Sequence, residues 1–168
     1  MLRGEHDGYS RLPVPLTHRR TVVWRRNHFW LIVDELLGKG ETTSASYLHF
    51  HPNLLLEKVE DSVWRVQGCH TPLWVTAFGQ QGHAVVTGLM EPLRQGWYSE
   101  RFGHLQRNTV LTLHQQGRMP VCYGYVISRH KPAKVEARGG GDGHQINVKQ
   151  DGHRYSFGLS GNAIIRFQ

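Results

Sequence analysis

The sequence predicts an all-β protein, an antiparallel β-sandwich of about ten to twelve strands. Three observations predict it. Short runs rich in β-branched and aromatic residues recur through the 168 residues, 19 glycines punctuate them at the spacing of turns, and no helical period lasts three turns. A hydrophobic fraction of 39% against 20% charged residues belongs to a chain that collapses around a core, which excludes a disordered one. The length fits one domain over residues 1–168, with no internal repeat and no clear boundary, although 91–103 could separate two groups of strands.

The elements follow in order. Residues 19–25 (RRTVVWR) and 28–35 (HFWLIVDE) read as strands joined at Arg26-Asn27, a dipeptide compatible with a hairpin turn. Gly38-Lys39-Gly40 breaks the chain, and 44–51 (SASYLHFH) is a strand ended by Pro52-Asn53. Residues 62–67 (SVWRVQ) alternate, with Trp64 and Val66 on one face. Strands 73–78 (LWVTAF) and 83–90 (HAVVTGLM) are separated by Gly79-Gln80-Gln81-Gly82, a second hairpin candidate. The segment 91–103 is too rich in glycine and proline for a helix. Strands 108–114 (NTVLTLH) and 121–128 (VCYGYVIS) flank a turn expected at Gln115-Gln116-Gly117, with Pro120 where a missing N–H does least harm. Residues 133–137 lead into the glycine run 139–143. Strands 144–149 (HQINVK) and 153–159 (HRYSFGL) flank Gln150-Asp151-Gly152, whose Asp-Gly pair is the strongest hairpin signal in the chain, and 163–167 is the last strand.

Charge and composition narrow the function. Twenty Lys and Arg against 13 Asp and Glu give a net charge of +7, and most of the twenty are arginine, the side chain suited to bidentate recognition of carboxylate, sulfate or phosphate. The longest apolar run falls short of the roughly 18 residues of a membrane span, and the first residues lack the apolar core of a signal peptide. Cys69 and Cys122 could form one disulfide, which spacing alone leaves open, and neither belongs to a CxxC pair.

Twelve histidines raise a metal site, and His49-Phe50-His51 is the tightest pair, since residues two apart on a strand share a face. No third ligand lies near it, so the reading is of a hydrogen-bonding His and a strand-end His. His70, His104, His114, His130 and His144 fall at turns and strand ends and read as surface residues. The 139–143 glycine run lacks the Lys-Ser/Thr of a phosphate loop, and no Gly-x-Ser-x-Gly elbow singles out a nucleophile. Arg19, Arg20, Arg25 and Arg26 with Trp24 and Trp30 make a basic, aromatic hairpin open to three readings: nucleic acid, acidic polysaccharide, or solvated arginines over core tryptophans. Trp97, Tyr98 and Arg101 share an irregular stretch of the kind that carries ligand contacts, or that plugs a sheet end.

A further pattern runs through these residues. His6-Asp7-Gly8-Tyr9-Ser10-Arg11-Leu12, then His18-Arg19-Arg20 entering a hairpin that ends Trp30-Leu31-Ile32-Val33-Asp34-Glu35-Leu36-Leu37-Gly38, then His49-Phe50-His51-Pro52, resembles the C-terminal part of heparinase II/III-like polysaccharide lyases. Trp97-Tyr98-Ser99 with Phe102-Gly103, and Met119-Pro120-Val121, are similar to later motifs of that family in the same order. The resemblance implies a supersandwich-like β-domain behind an N-terminal α/α toroid, in a secreted or periplasmic enzyme. Such an enzyme cleaves uronate-containing polysaccharide, such as heparin, heparan sulfate or alginate, by β-elimination. It places the catalytic Tyr and Asn or His on the toroid, and a divalent metal, zinc by expectation, on strands ahead of the His-Asp-Gly-Tyr segment. No catalytic residue or metal ligand is therefore carried over to this chain, which is expected to need no cofactor and to be inactive alone. Its expected partners are the toroid and an acidic polysaccharide, with Tyr9, Arg11, Trp97, Tyr98 and Arg101 as substrate-binding candidates. The alternatives are a free-standing carbohydrate-binding module and a nucleic-acid-binding β protein; against the last, the arginine-weighted charge reads as tolerance for an acidic glycan.

Overall fold

A seven-stranded antiparallel sheet forms the middle layer of the computed structural model, which describes residues 1–91, 94–140 and 143–160. Its strands are β1 (Leu2–Tyr9), β2 (Leu16–Arg25), β3 (Phe29–Gly38), β5 (Leu55–Glu60), β6 (Val63–Gln67), β7 (Leu73–Phe78) and β12 (Val121–Arg129). They lie in the order β1-β2-β3-β12-β7-β6-β5. A second sheet, β4-β11-β8, is built from β4 (Glu41–His49), β8 (Gly82–Thr87) and β11 (Thr109–Arg118). A third, β13-β14-β15, comprises β13 (Lys134–Gly140), β14 (Gly143–Gln150) and β15 (His153–Ser160). The two-residue strands β9 (Trp97–Tyr98) and β10 (Gln106–Arg107) pair with each other, which brings the described strands to fifteen, with no helix among the described residues.

The core shows how the sheets stack. Phe29, Leu31 and Val33 of β3 and Val126 of β12 pack against Ile146, Val148, Phe157 and Leu159 of the third sheet. On the other face of the middle sheet, Trp64, Val66, Val75 and Ala77 pack against Leu111 and Leu113 of β11. Because β3 is covered on both faces, its sequence is a near-continuous apolar run, whereas the edge strands β1 and β5 are exposed almost throughout. That is why β1, with its polar sequence, and β5, whose apolar Leu55 and Val59 are exposed, show no one-sided strand pattern. Cys69 and Cys122 are both free, and they pack on opposite faces of this sheet.

Two turns differ from expectation or bear it out instructively. The turn expected at Gln115-Gln116-Gly117 is strand instead, because those residues pair with Ser44, Thr43 and Thr42 of β4. The chain reverses at Met119-Pro120, a cis peptide. Asp151 (φ 50°) and Gly152 (φ 82°) take the left-handed conformation that a two-residue hairpin requires, so the Asp-Gly signal is met. The strand expected over 163–167 lies outside the described residues.

Candidate functional site

The strand period of two decides which side chains of β2 and β3 meet. Arg20 stands opposite Asp34 and His18 opposite Leu36, on the face turned toward β4; Arg19 stands opposite Glu35, on the face turned toward the third sheet. Tyr123 of β12 lies on the other side of Asp34, and His6 of β1 on the outer side of His18. Two neighbouring rows on one face of four strands therefore gather an acid, a guanidinium, two imidazoles and a phenol.

Asp34 is its centre, with a side chain only 1% exposed. Arg20 Nε donates to Asp34 Oδ1 at 2.7 Å and Arg20 Nη2 to Oδ2 at 2.8 Å, a bidentate fork. His18 Nε2 donates to Oδ1 at 2.8 Å, while His18 Nδ1 and His6 Nε2 are 3.2 Å apart. The Gly8 N–H donates to His6 Nδ1 at 3.2 Å, which makes His6 Nε2 the donor to His18 Nδ1, and one assignment of tautomers satisfies the whole chain from Gly8 to Asp34. Burial alone raises the Asp34 carboxyl, but the hydrogen bonds from His18 and Arg20 outweigh it and hold the group below the ordinary Asp range. The bond to Asp34 raises Arg20 against its own desolvation. Tyr123 and Tyr125 are both pushed up, chiefly by burial, so these phenols keep their protons.

Above this row lies a pocket of about 390 Å³, walled by Tyr9 and Leu12 on one side and by Thr42, Ser44 and Tyr47 of β4 on the other. Arg20 is 45% exposed, so the guanidinium holds Asp34 with one edge and keeps donors free toward the pocket. Ser44 Oγ lies 3.4 Å from the Tyr123 hydroxyl. The arrangement offers hydroxyls and a guanidinium to an anionic, hydroxyl-rich ligand. Its carboxylate is engaged, both nitrogens of His6 and of His18 are hydrogen-bonded, and its buried phenols are held protonated, so none of these groups is free to act as a base. A larger groove of about 640 Å³ runs beside Trp24, Trp30, Ile127 and Leu73, and no acid lines it among the described residues. There Trp24 and Trp30 stack at 5.6 Å and are 55% and 46% exposed, so they are not core residues.

Of the residues expected to bind substrate, the structure places Tyr9 in the pocket wall. Arg11 is exposed in the turn after β1. Trp97 and Tyr98 form β9, where Trp97 Nε1 donates to the Leu89 carbonyl at 3.0 Å, Arg107 lies over the Trp97 ring at 5.9 Å, and Tyr98 meets His51 at 5.3 Å between ring centres. Arg101 is exposed, and its carbonyl accepts from Ser99 Oγ at 2.9 Å. The strand β4 separates the two groups: Tyr47 is at the pocket and His51 at Tyr98, about 13 Å of extended chain apart. The five candidates therefore form two clusters.

His18, Asp34 and Tyr123 have no place among the expected site residues, and Arg20 enters the sequence reading only as one arginine of the basic, aromatic hairpin. The available signal was an acid in the middle of an apolar run, Val33-Asp34-Glu35-Leu36, which a strand buried on both faces tolerates only with partners. His144, expected on the surface, faces Glu35 instead at 3.4 Å. No group of three or more metal-ligating side chains exists among the described residues, and His51 Nδ1 accepts the Asn53 N–H.

The geometry defines an all-β layered domain with a polar pocket on one face of its middle sheet. The family model for heparinase II/III-like C-terminal domains matches residues 1–149, and the chain belongs to that family. Among solved structures it is similar to a heparinase III with methylated lysines, at TM-score 0.67 and 20% identity over 93% of this chain and 24% of that one. It is also similar to a second heparinase III (TM-score 0.64, 15% identity, 93% and 25%) and to the heparan sulfate lyase HepC from Pedobacter heparinus (TM-score 0.62, 9% identity, 86% and 24%). No curated protein matches. The chain spans about a quarter of the length of these solved relatives, and at such identities the likeness is one of fold.

Proposed function

We propose that the chain is the C-terminal β-domain of a polysaccharide lyase that cleaves uronate-containing polysaccharide by β-elimination, and that it binds glycan without abstracting the proton. The observation that carries this reading is the family match over residues 1–149. β-Elimination needs a base at the uronate C5 proton, an acid at the leaving oxygen and a positive group at the carboxylate. Arg20, fixed by Asp34 yet half open to the pocket, suits the third task. The engaged Asp34, the protonated Tyr123 and His18, hydrogen-bonded through both ring nitrogens, argue against the first, which falls to a helical toroid N-terminal to this domain. A periplasmic or secreted setting goes with such an enzyme, and any divalent metal belongs to residues outside this chain.

The test measures the absorbance of unsaturated uronate products from heparan sulfate and from alginate. The isolated chain is expected to produce none, and a toroid-bearing protein that contains it to produce them from one of the two. Arg20→Gln in that longer protein is expected to lower kcat/KM about 10-fold, a loss of one charge-assisted contact. Products from the chain alone, or a longer protein inert on both polymers, would overturn the reading.

A further inference from the structure

The third sheet buries one face against the middle sheet through Val148, Tyr155, Ile146 and Phe157, and turns its other face outward. Strand alternation fixes what that outer face carries. Lys134 is opposite Lys149, and Lys149 is opposite Arg154, so three cations stand side by side across all three strands. The next outward row is Glu136, Asn147 and Ser156, and the one after it Arg138, Gln145 and Gly158. Lys134, Lys149 and Arg154 are exposed, and none of the three takes part in an ion pair among the described residues. The face's described carboxylate, Glu136, is already engaged by Arg138 at 3.6 Å, and Ser156 Oγ donates to Asn147 Oδ1 at 2.7 Å.

Like charges directly opposite on neighbouring strands repel, so a row of three cations without an acid is a costly way to make a merely soluble surface. The row also stands at the end of the sheet where more positive charge collects. Gln150 Nε2 donates to the carbonyls of Arg129 and Lys131 at 3.2 and 3.3 Å, which docks the β14–β15 turn against that loop. Arg129 and Lys131 are exposed there, with Asp151 the acid of the turn.

We infer that the outer face of β13–β15 is a binding site for an acidic glycan, separate from the Arg20 pocket, which lies on the opposite face of the middle sheet. Neighbouring strands are about 4.8 Å apart, so the three cations span about 10 Å, the reach of a short run of anionic sugars. The adjoining amides and hydroxyl of Asn147, Gln145 and Ser156 supply hydrogen bonds for sugar hydroxyls. Among the described residues the face carries no aromatic ring on which a base could stack, so a glycan fits it better than a single-stranded nucleic acid does. The inference does not rest on the lyase reading: it concerns affinity for a polyanionic sugar chain, which the β-domain has or lacks whatever reaction a larger protein performs.

The experiment measures binding of the intact 168-residue chain to a heparin oligosaccharide and to a double-stranded DNA of equal charge, across a salt series. Replacing Lys134, Lys149 and Arg154 together by Gln is expected to weaken heparin binding about 30-fold and to lower the salt slope by about 2 to 3. A charge-matched variant, Lys39→Gln with Arg94→Gln and Arg118→Gln, is expected to stay within about 2-fold of wild type. Should the first triple variant misfold, Lys149→Gln alone is expected to cost about 5-fold, because it removes the middle of the row. Equal losses in both triple variants would mean attraction to net charge only and overturn the site. DNA bound as tightly as heparin would overturn the glycan assignment.

Discussion

Asp34 and Glu35 are adjacent, buried to the same degree and each held by an arginine and a histidine, yet they serve different parts of the molecule. Asp34 faces β4, and its arginine is 45% exposed to a pocket. Glu35 faces the third sheet: Arg3 Nη2 reaches it at 2.9 Å and His144 Nδ1 at 3.4 Å, with side chains 18% and 14% exposed. Arg3 Nη1 also donates to the Ser160 carbonyl at 3.0 Å, so the Glu35 cluster ties β1 and β3 to β14 and β15. The two clusters differ in what lies behind the cation. Where it faces another layer, the pair is a strut; where it faces solvent, the same pair leaves a guanidinium oriented for a ligand. The neighbours in register follow suit. Tyr123, beside Asp34, lines the pocket, while Cys122, beside Glu35, lies between layers, its thiol pushed up to about 12 by burial and then by the Glu35 and Asp34 charges.

The strongest break in this comparison is Asp34→Ala. It removes three hydrogen bonds from a site 1% exposed and leaves His18 and Arg20 facing each other without the carboxylate. The expected cost is about 3 kcal/mol, at the low end for a buried pair because Arg20 turns to solvent. Urea denaturation measures it. A loss below about 1 kcal/mol would mean that the cluster is no more than a surface pair.

Glu35→Gln keeps the shape and removes the charge, with an expected cost of about 1.5 kcal/mol. Its signature is local: amide exchange should quicken in β1 and β13–β15 and remain unchanged in β4, because the Arg3 and His144 contacts tie β1 to the third sheet and do not reach β4. Both carboxyls are held below their unfolded values, so the folded chain binds fewer protons than the unfolded one in acid. Their stabilisation is therefore complete above the unfolded range near pH 4 and is lost as pH falls through that range toward the folded values. Unfolding midpoints taken from about pH 6 down to about pH 3 should fall in the wild type and flatten in the Asp34→Asn, Glu35→Gln double variant.

How much of this was legible depended on burial. The middle strands declared themselves because β3 and β12 are apolar enough to be read without partners, and the Asp151-Gly152 turn because its conformation selects those residues. The edge strands β1 and β5 were silent, since a strand open to water has no pattern to keep. The pocket was half legible. Tyr9 could be named from the His-Asp-Gly-Tyr motif, but Arg20 and Asp34 are brought together by a register between strands, and register is set by the hairpin and not by either residue. The same blindness hid the row of Lys134, Lys149 and Arg154, which are scattered in sequence and aligned only by pairing.

The smallest expected effect sharpens the comparison most. Tyr123 is 3% exposed, but its hydroxyl has only a long contact with Ser44 Oγ at 3.4 Å, so Tyr123→Phe should cost about 0.5 kcal/mol or less. If the Asp34 side of β3 is there for a ligand, this substitution should weaken binding of a uronate oligosaccharide to the pocket about 3-fold, the share of one hydrogen bond, while leaving the urea midpoint nearly unmoved. Affinity and stability then separate, as they should on a face open to solvent. A cost near 2 kcal/mol with unchanged affinity would instead place Tyr123 with Glu35, as a part that holds layers together, and the division between the two faces of β3 would fall.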